Sequence, residues 1–417
     1  MKATRFLVSV LALGCMQLLA MPNFARKYGV DCATCHTTIP VLNEMGYNFR
    51  KAGFRMPSEI YRMNGTKTSS DKPVQSTLEN TTSARIQLRY DNTSHDDGVK
   101  TTSNSQLTAH EITFYPLTGS YGKYMGSLME ATFVNGGTLE LENAYMRFAA
   151  GQENSFFSGR VGVFHPFEGF GASDRPMSLD RPLFQGTTAK GAYFKPWGYD
   201  EAGLELAYVY NRSTFSATLF NGLKVDAAGN AAAAQGGKQQ RDVTLPDHSG
   251  KDFQLFFNQI LGENGTGVSA YYYSGSLYQP VGGVLSPTVG YANDYTRTAI
   301  YASYVPMPKL QLKAGYQIGT DHAAPGGAFD TYQSKGYFAE IDSALTNFVT
   351  IGGRLDQFDP SDKIDHNDKK GFTAFLNMPF QDGFQLIAQY ASITSDQPGG
   401  LPSIKDNNFQ IRFVWIF

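Results

Sequence analysis

The final strand-length segment most constrains what this chain can fold into. Phe409, Ile411, Phe413, Trp415 and Phe417 alternate with Gln410 and Arg412. Successive side chains of an extended strand point to opposite faces, so this segment has one apolar and one polar face. The pattern recurs. Leu310, Leu312, Ala314, Tyr316 and Ile318 alternate with Lys309, Gln311, Lys313 and Gln317. Phe384, Leu386, Ala388 and Tyr390 alternate with Gln385 and Gln389, and Ala84, Ile86, Leu88 and Tyr90 with Arg85, Gln87 and Arg89. Segments of about ten residues, apolar on one face and polar on the other, suit a barrel with lipid outside and water within. A soluble sandwich would turn the same alternation inside out. The aromatic C-terminal residue and the alternation of long and short loops favour the membrane. The chain has 43 Gly, 24 Tyr and 30 Phe but only 2 Trp, which fits such a barrel. A formal net charge of -2 names no partner and gives no reason for nucleic acid.

Counting back from Phe417 gives a consistent topology. Tight turns fall near Gln381-Asp382, Leu345-Thr346, Pro306-Pro308, Gly262-Gly265 and Asn211-Arg212. Long polar loops fall between them, at Lys224–Gly250, Ser276–Asp294, Thr320–Ser334, Asp359–Lys369 and Thr394–Ile404. Short turns belong on the periplasmic side and long loops outside. The parity holds when Phe167 to Glu201 is one loop, and fails when Ala189–Lys195 is counted as a strand. The expected fold is therefore all-β: a 16-stranded antiparallel transmembrane β-barrel over residues 82–417, with eighteen strands as the alternative. The loop after the fifth strand is the third outer loop. It carries Glu168, Asp174, Arg175, Asp180, Arg181 and Lys190. It either folds inward to narrow the lumen or is a charged, solvated loop.

The N-terminus reads as an export signal. Lys2 and Arg5 precede the apolar stretch Phe6 to Ala20, which is too short to span a bilayer. A signal peptide over residues 1–20, cleaved after Ala20, removes Cys15 and leaves two cysteines. Cys15 as a lipidation site is the alternative, though Ala12-Leu13-Gly14 is a poor lipobox. No later stretch is long and apolar enough for a transmembrane helix.

Those two cysteines stand in Cys32-Ala33-Thr34-Cys35-His36, a C-x-x-C-H, the attachment pattern of c-type haem. Two thiols at this spacing can add to the two vinyl groups of one porphyrin, and the next histidine falls under the iron as proximal ligand. A disulfide gives no role to His36. A zinc site wants further ligands at suitable spacing, and a thioredoxin-like motif wants a βαβ setting. One haem c is thus expected on Cys32, Cys35 and His36. Val41, Leu42, Met45, Phe49 and Ala52 recur at helical steps, so a helix is expected from Pro40 to Ala52, with Gly53 as its left-handed cap. Met56 is the favoured sixth ligand, with Met45, Met63 or a barrel histidine as alternatives. Residues 21–63 form a segment close to the length, about 40 residues, below which a core needs outside help. It is expected to plug the periplasmic mouth, with residues 64–81 as linker or lumen lining. Arg85 and Arg89 are candidate partners for the haem propionates, together with Lys309, Lys313 and Arg412. His95, His248, His322 and His366 each neighbour an Asp and are candidates for transient capture of ferrous iron. Asp359, Asp362, Asp365 and Asp368 match no complete calcium loop.

On these residues the chain resembles the outer-membrane cytochrome–porin fusions, best known as iron oxidases of iron-oxidising bacteria. The resemblance rests on Pro22-Asn23-Phe24-Ala25-Arg26, on Cys32 to His36, and on Pro40-Val41-Leu42 with Gly46, Phe49 and Gly53. Arg50 stands where that family usually has Lys, and Phe54 where it has Tyr. The motif covers about thirty-five residues; the barrel matches in architecture alone. The resemblance implies electron passage across the outer membrane through one haem. It also implies an Fe(II) oxidase-type activity, with outer-membrane lipid, a periplasmic c-type cytochrome and extracellular Fe(II) or another redox substrate as partners. The alternative is a solute porin in which the haem segment is structural or sensory.

Overall fold

A computed structural model describes residues 22–66, 74–134, 137–166, 177–189, 200–225, 231–233, 251–280, 290–322, 331–346, 348–380 and 383–417. The expected signal peptide, the loop residues Glu168, Asp174, Arg175 and Lys190, and His248 lie outside these residues. Sixteen long antiparallel strands close into one barrel. They are β1 (Ser83–Asp96), β2 (Thr101–Tyr115), β3 (Met125–Val134), β4 (Thr138–Gln152), β5 (Ser155–Phe164), β6 (Glu201–Tyr210), β7 (Ser213–Phe220) and β8 (Asp252–Ile260), followed by the second half. That half is β9 (Gly267–Pro280), β10 (Gly290–Met307), β11 (Leu310–His322), β12 (Thr331–Thr346), β13 (Val349–Asp359), β14 (Lys369–Pro379), β15 (Phe384–Ser395) and β16 (Ile404–Ile416). The short piece Gly119–Tyr121 extends the β2–β3 seam. The last strand closes on the first, with Trp415 opposite Ile86 and Phe413 opposite Leu88. Phe417 N donates to Ala84 O at 3.0 Å, and Ala84 N donates to Phe417 O at 2.8 Å. Closure leaves no edge strand for lipid to meet.

The alternation decides the faces. On β11, Leu312, Tyr316 and Ile318 are 38–45% exposed, whereas Gln311, Lys313 and Gln317 are at most 5% exposed. The apolar residues face outward and the polar ones face the packed interior. Several outer strands rise further than expected, since β9 runs to Pro280 and β10 starts at Gly290. Asn211 and Lys309 have φ of 50° and 75° in tight turns. Lys309 is therefore an exposed turn residue and not a lumen residue, a correction to its expected placement.

The N-terminal segment lies in the barrel mouth that carries the tight turns. Its helices are α1 (Pro22–Tyr28) and α2 (Glu44–Lys51), with a short ladder between His36–Thr38 and Val41–Leu42. α2 is shorter than its apolar periodicity suggests. Pro40 follows a cis peptide and sits in the ladder's turn, and Asn43 is the N-cap, its side chain accepting from Gly46 N at 3.0 Å. Gly53 (φ 72°) and Phe54 (φ 60°) end the helix in the left-handed region. The segment is fastened round the mouth. Asn23 donates to Thr118 O (3.0 Å), Thr37 to Asn264 O (3.0 Å) and Asn377 to Ile39 O (3.0 Å). Arg212 reaches Glu44 at 2.9 Å, and Arg55 donates to the carbonyls of Lys123 and Met125. Lys51 enters a buried network in which Glu205 meets Arg147 (3.1 Å), Arg160 (2.6 Å) and Lys51 itself (3.5 Å). Of the expected linker, Val74 N donates to Glu59 (2.9 Å) and Ser76 accepts from Lys27 (2.9 Å), so this stretch packs on the segment.

The third outer loop folds inward. Its described part, residues 177–189, contains α3 (Leu183–Gly186). Met177 N donates to Glu340 (3.0 Å), Leu183 N to Asp356 (3.2 Å) and Gln317 to Phe184 O (3.3 Å). Arg354 donates to Asp180 O at 2.7 Å and binds Ser178. These partners lie on β11, β12 and β13, so the loop is held across the lumen by interior charges.

Candidate functional site

Between the N-terminal segment, the inward loop and the wall lies a cavity of about 800 Å³. That is within the range of about 300–1,000 Å³ usual for small-molecule and cofactor sites. Its lining brings together Cys32, Cys35, His36 and Met56 from the segment, Arg85 and Arg412 from the wall, and Met177 from the loop. Residues far apart in sequence thus converge on one space.

Local folding positions the motif. Cys32–Thr34 form one short 3-10 turn, with Cys35 N donating to Cys32 O at 3.0 Å. Asn43 N donates to Cys35 O, and the Asn43 side chain donates to Thr34 O at 3.1 Å. The helix cap and the motif are therefore one unit. Cys32 is buried and Cys35 half-buried. Burial, and secondarily Cys32, pushes the Cys35 thiol up to about 11. Burial lowers the His36 imidazole to about 4, against an opposing pull from the backbone of Pro40 and Val41. The ring is then neutral at pH 7, the form that ligates metals. Its Nδ1 is sealed from solvent with no well-formed hydrogen bond.

Of the expected methionines, only Met56 lines the cavity; Met45 and Met63 are 37% and 71% exposed and do not. Met177 was missed by sequence reasoning. It is buried against Val41 and Phe375, and nothing in its charged loop context marks it. Arg85 reaches the cavity but is held by Glu111 (3.1 Å) and Glu130 (3.3 Å). Arg89 does not line the cavity; it pairs with Asp91 at 2.6 Å, which corrects its expected role. Lys313 is likewise engaged, with Asp342 (2.6 Å) and Glu340 (3.2 Å). Arg412 does line the cavity and donates to Gln410 at 2.8 Å. Of the histidines, His95 pairs with Asp406 (2.6 Å), His165 with Asp200 (3.2 Å) and His110 with Glu111 (3.2 Å). Among the described residues no three His, Cys, Asp or Glu side chains converge as a metal site.

A second feature escaped the alternation argument. Beyond the cavity, buried aromatic rings including Phe164, Phe220, Tyr271, Tyr273, Tyr295 and Tyr301 form one cluster with Phe49 and Phe54. Interior-facing rings do not stand out in a chain whose lipid face is also aromatic.

No protein-family model matches this chain, and the search of curated proteins finds no match. Solved structures do match over the barrel. The chain is similar to the anion-selective porin from Comamonas acidovorans, at 10% identity and TM-score 0.54, covering 80% of this chain and 99% of that one. It is similar to the outer-membrane protein OmpT of Vibrio cholerae, at 12% identity and TM-score 0.51, covering 81% and 99%. The outer membrane channel DcaP of Acinetobacter baumannii matches at 12% identity and TM-score 0.50, covering 81% and 97%. The chain has the fold of Gram-negative outer-membrane porins.

Proposed function

We propose that this barrel is an outer-membrane electron-transfer conduit that holds one c-type haem in its cavity. The observation that carries the reading is the convergence of Cys32, Cys35, His36 and Met56 on one cavity of about 800 Å³ inside the barrel. The residues fit the group. Two cysteines stand at the attachment spacing on the cavity wall, and the imidazole beside them is neutral. Cys32 and Cys35 would hold the porphyrin covalently, and His36 and Met56 would supply the protein ligands to its iron. Arg412 supplies positive charge for a propionate. When bound, the group supplies one-electron chemistry at a potential raised by methionine ligation. The protein's own contribution is exclusion of water by Phe24, Phe49 and Phe54, and orientation by the Asn43 cap. The extracellular substrate is ferrous iron or a related one-electron donor or acceptor, and the periplasmic partner is a soluble c-type cytochrome.

The comparisons lean toward a second reading, a solute channel in which the N-terminal segment is structural, since they include a channel and an anion-selective porin. One preparation separates the two. Purified protein should carry a low-spin haem spectrum, remain haem-stained on a denaturing gel, and show little conductance in a planar bilayer. An unstained protein with steady open-channel conductance would establish the solute channel instead.

A further inference from the structure

A continuous row of buried rings leaves the cavity and runs round the inner wall past the outer ends of two strands. Phe54 and Tyr145 line the cavity, with ring centroids 6.4 Å apart. From Tyr145 the row passes to Phe164 (6.0 Å), Phe220 (5.2 Å), Tyr273 (6.1 Å) and Tyr295 (6.3 Å). Its members come from the N-terminal segment, β4, β5, β7, β9 and β10, and none is more than 5% exposed. Phe164 and Phe220 are the last residues of β5 and β7, both of which end at the outer side. At the far end the Tyr295 hydroxyl donates to Asp252 at 2.8 Å. The Tyr273 hydroxyl lies 2.6 Å from Asp252 and 3.1 Å from Glu201, and both carboxylates are fully buried.

Barrel interiors are ordinarily polar. Filling this one needs apolar volume, which Leu or Met supplies as well as Phe, so packing alone does not require a ring at every link. The height of the wall does supply a reason. The apolar band of such a barrel is about 25 Å tall, and a haem held at the periplasmic mouth covers only part of it.

We propose that this ring row is the electron path between a one-electron donor at the outer face, of the class of aquated or chelated ferrous iron, and the haem cavity. The inference rests on the haem reading above. The donor loses one electron and becomes ferric; the haem iron gains it and becomes ferrous. The rings lend orbital overlap and end the step unchanged. No bond forms or breaks while the haem takes the electron; in protein without haem, an oxidised group at the outer end instead draws an electron from Tyr273 or Tyr295, and the phenolic proton passes to Asp252 or Glu201.

The test uses the full haem-loaded protein carrying Asp294→Cys, labelled with a ruthenium polypyridyl photoreductant. Asp294 is exposed and adjoins Tyr295. After a flash, ferrous haem should appear severalfold more slowly in Phe164→Leu and Phe220→Leu. Phe220→Tyr, which keeps the ring, should retain the rate. The haem midpoint potential and low-spin spectrum should not move in any of them. Phe164→Met replaces the leucine variants if heat-modifiable gel migration shows that they do not fold. A readout independent of haem uses Cys32→Ala with Cys35→Ala: flash-oxidised label should give a tyrosyl signal by electron paramagnetic resonance, abolished by Tyr273→Phe with Tyr295→Phe. Unchanged transfer rates in folded leucine or methionine variants would overturn the row, as would absence of the tyrosyl signal. A wild-type protein without haem stain would remove the acceptor and overturn the haem reading itself, a failure that the gel identifies separately.

Discussion

Gly46→Ala tests how the N-terminal segment positions its cysteines. Gly46 lies in the first turn of α2, and a Cβ there would fall 2.9 Å from Leu42 Cδ2 and 3.0 Å from the Cys35 carbonyl carbon, with the carbonyl oxygen nearer still. Two effects compete. Helix propensity favours Ala over Gly by about 1 kcal/mol. Overpacking a tight site costs about 1–3 kcal/mol, and the crowding atoms here are mainly backbone, which yields least. The second effect should win, with a net loss of up to about 2 kcal/mol, or up to some thirtyfold in the docked fraction of the segment. The displaced carbonyl belongs to Cys35, so haem attachment should fall as well. The assay is limited proteolysis of barrel-inserted protein, following cleavage within residues 22–66, with haem stain on the same gel. Met45→Ala, at an exposed position of the same helix, is the control. A Gly46→Ala protein as protease-resistant and as fully stained as wild type would refute the close packing of α2 on Cys35.

Three further outcomes follow from the same geometry. Glu205→Gln removes the carboxylate that meets Arg147, Arg160 and Lys51 in a buried setting, and should cost about 3–5 kcal/mol, seen as a lower temperature of heat-modifiable gel migration. Burial lowers Lys27 from 10.5 to about 8 despite the opposing charge of Glu59; the unfolded chain then holds this proton between pH 8 and 10.5 when the folded chain does not. Protease resistance of the segment should therefore rise across that window, and Lys27→Met should flatten the profile. For the distal ligand, Met56→Ala should abolish the methionine-to-iron charge-transfer band while Met45→Ala and Met63→Ala retain it; loss of the band in Met177→Ala alone would move the ligand to the inward loop.

Much of the fold was legible because a two-faced strand must declare itself in sequence. Gln311, Lys313 and Gln317 alternate with Leu312, Tyr316 and Ile318, and only one arrangement puts the first set inside and the second against lipid. Loop-length parity then favoured sixteen strands over eighteen, whereas the length and charge of the third loop suited an inward and a solvated course alike, and its bonds to Glu340, Asp356 and Arg354 decide for the inward one. The spacing of Cys32, Cys35 and His36 is also plain in the sequence, and the structure brings the three to one cavity. What escaped was whatever depends on distance across the lumen. Arg85 and Arg89 look alike on β1, yet Arg85 reaches the cavity and Arg89 closes on Asp91. Helical periodicity from Val41 to Ala52 overstated α2, because the ladder between His36–Thr38 and Val41–Leu42 claims its first turn. Tyr271, Tyr272 and Tyr273 stand in an unbroken aromatic run that names no face, and only the folded strand shows Tyr271 and Tyr273 inside and Tyr272 outside.

The central claim is that one haem is covalently attached within this barrel. Intact-protein mass spectrometry of chain exported through a c-type maturation system tests it most directly, with thiol labelling of the denatured protein alongside. The account predicts a mass greater by one haem and no labelling of Cys32 or Cys35. An unmodified mass with both thiols reactive would contradict it.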